Sequence, residues 1–402
     1  MFKQAMIVEK LFLFLAICCL SGSVFQLWRM FYVSNMCCMA GILFGILFLF
    51  KSKYKERFLT VLPHFSVLAY VIVNFLSISI ANNFARAFVY SMKLGLVLLG
   101  GWFLFVNAIS RRKDLKLFYI LAAISVTVSV LGCIFFRFSF EPGRFGFVGS
   151  SYKYGSYTGM LVPLACVYLV GLSGGWRVWG VLLAAAGIFS VGNAGGIISI
   201  FAGLATGLAV SKDTSVKWKI LICIVLGAAG FVISGYTFEK SGADDFGILE
   251  KDGINLRQRY IEWQAELNLL EARGAAGSGA GSINDYRSKY YYKLPKLNTL
   301  EDFDQNGFLA VGAEVGIIGL VCFIWILIYY GRQSFCDYLE FSRMKDRECE
   351  LMGLANCCGF VSAVVVNIFS SVHYNGILIV FVFILSLTEG INRKLKGGQI
   401  EI

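Results

Sequence analysis

Residues 115–136 read LKLFYILAAISVTVSVLGCIFF, an apolar run with one lysine near its start and no proline. About 20 mostly apolar residues carry a helix across the hydrocarbon core of a bilayer. Backbone groups inside lipid must bond to one another, so such a run is helical. Arg111, Arg112 and Lys113 precede it and Arg137 follows it. The stretch predicts a transmembrane helix, and the same window moved outward finds others in both directions. Twelve candidate spans result, at 11–28, 30–50, 58–81, 87–109, 115–136, 156–173, 176–192, 194–211, 217–236, 307–330, 350–371 and 374–390. The pairs meeting near 173–176 and 371–374 have almost no loop between them.

Composition agrees with that reading. The chain has 402 residues, 57% hydrophobic and only 15% charged, with four prolines. Soluble domains run near 45–50% apolar and about 25% charged, and one globular core cannot hide the excess. A soluble domain, a disordered chain, a secreted disulfide scaffold and a nucleic-acid binder are all disfavoured. The net charge of +11 is in large part orientation signal, because cytoplasmic segments of membrane proteins are enriched in Lys and Arg. With the N-terminus inside, the inner segments hold twenty-one basic residues. The short outer loops hold five: Arg29, Arg86, Arg137, Arg144 and Lys153. The alternation persists to the C-terminus, and a miscounted span would invert it.

The expected fold is therefore all-α: a polytopic helical membrane protein with about twelve transmembrane helices and both termini cytoplasmic. Residues 1–236 hold helices 1–9, and 237–306 form one large extracytoplasmic loop between helices 9 and 10. Residues 307–402 hold the last three helices and a cytoplasmic tail. Several of the twelve cysteines sit mid-span, no CxxC or Cys/His spacing suggests zinc, and small apolar packing explains them. No metal, cofactor or structural disulfide is expected.

The large loop holds nine Lys/Arg and twelve Asp/Glu, and long loops in compact proteins are usually functional. Within it, Asn255 to Arg273 reads as a surface helix. Leu256, Tyr260, Trp263, Leu267 and Leu270 form one apolar stripe at helical spacing, suited to the membrane interface. Asn255 can cap its start, and Gly274 follows its end. Gly274–Gly281 (GAAGSGAG) is too glycine-rich to stay helical. It is able to bring backbone N–H groups close to an anion, and a flexible hinge explains it equally well. Tyr286, Tyr290, Tyr291 and Tyr292 follow beside Arg287 and Lys289. Aromatic faces next to cations suit sugars and phosphates, and an interfacial aromatic belt has the same composition.

Three stretches together resemble the O-antigen polymerase and ligase superfamily of bacterial envelope glycosyltransferases. They are Arg144-Phe-Gly-Phe-Val-Gly149 ahead of span six with its Pro163, Arg259-Tyr-Ile-Glu-Trp263 with the glycine-rich segment behind it, and Asp304-Gln-Asn-Gly-Phe-Leu309 leading into Glu314-Val-Gly-Ile-Ile-Gly319. Order, spacing, span count and the late outer loop all match the family. The ligase branch usually has His before the Asn of the third motif. Gln305 stands here and cannot act as a base, whereas Asp304 beside Asn306 is similar to capsule and exopolysaccharide polymerases. The family's frequent Ser-Arg-Gly after span seven is Asn193-Ala194-Gly195 here.

The resemblance implies an enzyme that polymerises polyprenyl-pyrophosphate-linked repeat units at the outer face of the bacterial cytoplasmic membrane. Its partners are the lipid-linked glycan donor, a glycan acceptor and membrane lipids, with a chain-length regulator or flippase as further candidates and no nucleic acid. A ligase transferring glycan to lipid A core or another acceptor is the alternative, and a lipid-linked-sugar flippase the second. Cations stabilise a pyrophosphate leaving group, and Arg matches phosphate with a planar fork, so Arg144, Arg257 and Arg259 are the pyrophosphate candidates. Asp304 and His373 are the candidate bases, and Tyr290, Tyr291 and Asn306 the glycan-binding candidates. Glu314, inside span ten, suggests a function or a buried partner such as Lys93. His64 reads as structural.

Overall fold

The computed structural model describes parts of 40–47 and residues 63–109, 112–139, 151–191, 194–240, 263–286 except 284, 306–344, 346–371 and 377–391. Among these residues the protein is helical and contains no strand. The helices are α1 (Phe65–Leu76, continued by a 3₁₀ turn Ser77–Ile80), α2 (Phe84–Gly95), α3 (Trp102–Ala108), α4 (Arg112–Ser139), α5 (Ser151–Gly171), α6 (Gly175–Ser190) and α7 (Ala194–Val210). They continue with α8 (Thr214–Lys240), α9 (263–273), α10 (Gly307–Met344), α11 (Arg347–Phe369) and α12 (Ile377–Gly390). A π-helical turn at Leu96–Gly101 joins α2 to α3 without a break in direction, so the two make one rod where a single span is expected.

From residue 63 onward every expected span has its helix. Five are long and apolar enough to cross a membrane by length and composition, and four shorter apolar helices stand beside them. Local chemistry sets several boundaries. Asn83, Asn306 and Asp346 accept backbone N–H bonds at the starts of α2, α10 and α11, relieving donors that the first helical turn leaves unpaired. The turn expected at 173–176 is real, with α5 ending at Gly171 and α6 starting at Gly175.

The bundle is organised around α5, whose residues from Tyr154 to Gly171 are all buried, as expected of a helix apolar all round. It packs against α7 and α11, and small residues allow the close approach. A Cβ on Gly196 would lie 2.8 Å from the Gly155 backbone, and one on Gly203 would meet Pro163 at 2.6 Å. Membrane helices associate through such small-residue contacts, since lipid removes the hydrophobic drive between them. Polar bonds add to them: Ser362 Oγ donates to the Ser199 carbonyl at 2.9 Å, and Tyr119 OH to that of Met352 at 2.8 Å. His64 stacks on Tyr329 with centroids 3.4 Å apart, as a structural residue would. The described cysteines are free thiols, and all but Cys336 are buried.

Contacts sort the chain into two ends. At one end Ala280 N–H bonds to Ser77 Oγ, Arg86 pairs with Asp285, and Gly307 abuts Asn367. At the other, Lys116 pairs with Glu348 at 2.8 Å, Arg347 faces Asp213 at 3.7 Å, and Lys212 N–H bonds to Tyr338 OH at 3.1 Å. Each set joins segments that the charge pattern puts on one side.

Candidate functional site

Among the described helices the longest, α10, is broken. Within α10, Gly316 has φ 82° and ψ 179°, a backbone region that is essentially glycine-only. A break there takes the carbonyls of the preceding turn out of the helical ladder, and inside a membrane protein they need other donors.

The glycine-rich segment supplies them. Ser278 N–H and Ser278 Oγ both donate to the Ala313 carbonyl at 2.9 Å, and Gly279 N–H donates to that of Glu314 at 2.8 Å. Ala280 N–H reaches Ser77 Oγ at 3.1 Å, and Ile283 N–H reaches Glu314 Oε1 at 3.3 Å. Ser282 Oγ closes the set by donating to Ser278 Oγ at 2.8 Å. At two of its glycines the segment lies directly against neighbouring backbone. A Cβ on Gly277 would sit 2.5 Å from the Glu314 carbonyl oxygen, and one on Gly279 2.5 Å from Ala81 Cα. At Gly316 a Cβ would collide with the Ala275 carbonyl.

This corrects the reading of Gly274–Gly281 as an anion cradle or a hinge. The N–H groups of Ser278, Gly279, Ala280 and Ile283 are committed to protein acceptors, and Ser278 and Ser282 are buried. It is a rigid clip.

The clip holds α9 onto α10. Leu269 of α9 packs with Ile283, Tyr286, Ala310 and Ala313, and Gly274 N–H bonds to the Leu270 carbonyl at 2.8 Å, ending the helix where expected. The buried face of α9 is Ala265, Glu266 and Leu269, whereas Leu267 of the expected stripe is 43% exposed. The expected stripe suits a helix with only a membrane to lie on. Docking on α10 turns the α9 face by roughly half a helical turn relative to Leu267, because residues two apart are about 200° apart on a 3.6-residue helix. Arg273 stacks over the Tyr286 ring, 4.5 Å from its centroid, and the Arg86–Asp285 pair ties the same segment to α2.

Of the expected site residues, Asn306 is described. It is 8% exposed, and its Oδ1 accepts from Phe308 N–H at 2.9 Å and Leu309 N–H at 3.1 Å, so its oxygen caps α10 and only its Nδ2 remains for a ligand. The following Gly307 is where the chain passes Asn367 of α11, since a Cβ there would lie 2.6 Å from Asn367 Oδ1. Arg144, Arg257, Arg259, Tyr290, Tyr291, Asp304 and His373 lie outside the described residues. So do residues 255–262 of the expected surface helix. Glu314 is 3% exposed and takes the Ile283 N–H as one partner. Among the described residues no group of three His, Cys, Asp or Glu is placed to hold a metal ion.

Residues that sequence reasoning missed are Ser77, Ser278, Ser282 and Asp285. Ser77, Ser278 and Asp285 act through partners distant in the chain, and Ser282 acts by bonding to Ser278. Gly316 was visible, within the quoted Glu314–Gly319 motif, without a sign of what its glycine is for.

Residues 179–324 match the family model of the O-antigen ligase. The matched stretch runs from α6 into α10 and contains the glycine-rich segment with its α10 partners, and it supports the resemblance to the O-antigen polymerase and ligase superfamily. The O-antigen ligase family suggests glycan transfer in polysaccharide biosynthesis, and together with the apolar helices it indicates a multi-pass membrane protein. No curated protein matches the chain.

Proposed function

We propose that the protein is a glycosyltransferase that polymerises polyprenyl-pyrophosphate-linked oligosaccharide repeat units at the outer face of the cytoplasmic membrane. The observation that carries the reading is the O-antigen ligase family match over 179–324. The clip supports it: it joins α9, which follows the Arg259–Trp263 motif in the sequence, to the head of α10 beside Glu314.

In this reading Arg144, Arg257 and Arg259 bind the donor pyrophosphate, and Tyr290, Tyr291 and Asn306 face the glycan. The acceptor hydroxyl oxygen forms its bond to the anomeric carbon as the bond from that carbon to the pyrophosphate oxygen breaks. The hydroxyl proton passes to Asp304 or His373, and the lipid pyrophosphate leaves with the electron pair. Fixed cations become more valuable as that charge develops. The twelve-span topology, with both termini cytoplasmic and the large loop outside, is part of the proposal.

The ligase reading is favoured by the description of the matched family, and Gln305 in place of a motif His favours the polymerase. Reconstituted protein given lipid-linked repeat units, with and without added lipid A core and with no nucleotide sugar, tests both. Lengthened lipid-linked glycan supports polymerisation. Transfer only to an added lipid A core supports the ligase, and absence of any transfer refutes both.

A further inference from the structure

The end of the bundle opposite the clip carries a cluster of cations that the glycan-transfer reading does not use. Lys219, in the first turns of α8, has its Nζ shielded from solvent with no hydrogen-bond partner among the described residues. Arg177 of α6 and Arg347 of α11 both lie within electrostatic range of it, and Asp213 is the carboxylate that faces it. Asp213 also stands 3.7 Å from Arg347, so one carboxylate is shared between Arg347 and Lys219. Arg177 directs its Nε to the Leu172 carbonyl, which fixes the guanidinium and leaves its terminal nitrogens to donate elsewhere. A shielded ammonium next to two more cations is electrostatically unfavourable unless an anion joins them.

The surroundings say which anion. Trp176 and Trp218, the neighbours of Arg177 and Lys219, are 41% and 62% exposed, and Trp176 is held against Trp179, whose Nε1 donates to Thr127 Oγ1 at 3.0 Å. Exposed Trp beside Lys and Arg is the composition of the membrane–water boundary. Further along, α6 and α8, which pack on each other, expose Val178, Leu182, Ile222 and Val225. Cations at the rim, indoles beside them and an apolar surface beyond match the order of phosphate, glycerol and acyl chain in a phospholipid.

We propose that Arg177, Lys219 and Arg347 bind the phosphate of an anionic phospholipid, with Trp176 and Trp218 at its glycerol level and its acyl chains along the exposed faces of α6 and α8. Basic pockets between transmembrane helices recognise anionic head groups in this way, and the Arg177 guanidinium can donate to two phosphate oxygens at once.

The test uses the full chain, delipidated in neutral detergent, with bound lipid counted by native mass spectrometry during titration with phosphatidylglycerol or phosphatidylcholine. Phosphatidylglycerol should be retained over phosphatidylcholine, and the preference should weaken with added salt. Lys219→Met and Arg177→Met keep the aliphatic stems and should each lower phosphatidylglycerol affinity about fivefold, the factor for about 1 kcal/mol per cation at a membrane surface. Equal retention of the two lipids by the unaltered protein overturns the proposal whether or not the variants fold. So do folded variants that bind as the parent does. Displacement of phosphatidylglycerol by millimolar inorganic phosphate would assign the cluster to a soluble anion and overturn it as well.

Discussion

Replacing Gly316 with Ala asks whether the clip is a rigid joint. The methyl group enters a φ of 82° with ψ 179°, a region that costs a non-glycine residue about 1–3 kcal/mol. It also collides with the Ala275 carbonyl, so the segment must move away or α10 must rewind. Either response breaks the bonds from Ser278 and Gly279 N–H to Ala313 and Glu314, at about 0.5–1.5 kcal/mol each. The sum is about 2–6 kcal/mol. It falls on the clip, because the α5, α7 and α11 core shares none of these contacts. Amide hydrogen exchange across 278–283 should then accelerate about thirtyfold or more, the factor for the lower bound of 2 kcal/mol, while protection in α5 stays as it is. Gly312→Ala, one turn earlier, is the control: its Cβ meets nothing closer than 3.5 Å, at Leu270 and Leu320, and should be neutral. Unchanged exchange at 278–283 in Gly316→Ala, or equal effects of the two variants, would refute the reasoning.

Further expectations concern the cap, the ion pair, the arginines and the topology. Asn306→Asp keeps a capping oxygen and should keep the fold of the α10 start, whereas Asn306→Ala should cost about 1 kcal/mol; thermal unfolding of the pair checks it, and equal stabilities would contradict the cap. Arg86 and Asp285 are 54% and 24% exposed in their side chains, so a double-mutant cycle should give less than about 1 kcal/mol of coupling. Arg144→Ala and Arg259→Ala should each lower polymer formation about 10²–10³-fold at normal protein levels, with Lys restoring only part, and lipid-linked repeat units should build up on the outer leaflet; build-up on the cytoplasmic leaflet would point to a flippase. In a Cys336-free background, Glu271→Cys, which is exposed on α9, should label from outside intact cells, and Arg343→Cys at the far end of α10 should not. Ser278, a natural first choice for a reporter, is fully buried in the clip and should resist labelling from either side.

Helices were legible because lipid makes their requirement local: an apolar run of sufficient length has no other way to satisfy its backbone. That is why α4 and α11 stand where hydropathy puts them; α9 ends before Gly274 for another local reason, a glycine with positive φ. The family resemblance was legible in the same sense, since Glu314-Val-Gly-Ile-Ile-Gly319 can be read without knowing what it touches. The face that α9 buries was not, because Leu267 and Leu269 are equally apolar and only the surface of α10 chooses between them. Nor was the role of GAAGSGAG. A glycine-rich run has the same composition whether its N–H groups await an anion or are already bonded, and the difference lies with Ala313, Glu314 and Ser77, residues 35 to 203 positions away. Local periodicity determined where the helices are, and the long-range pairing of buried backbone groups, visible only in the tertiary structure, decided what holds the loop to them.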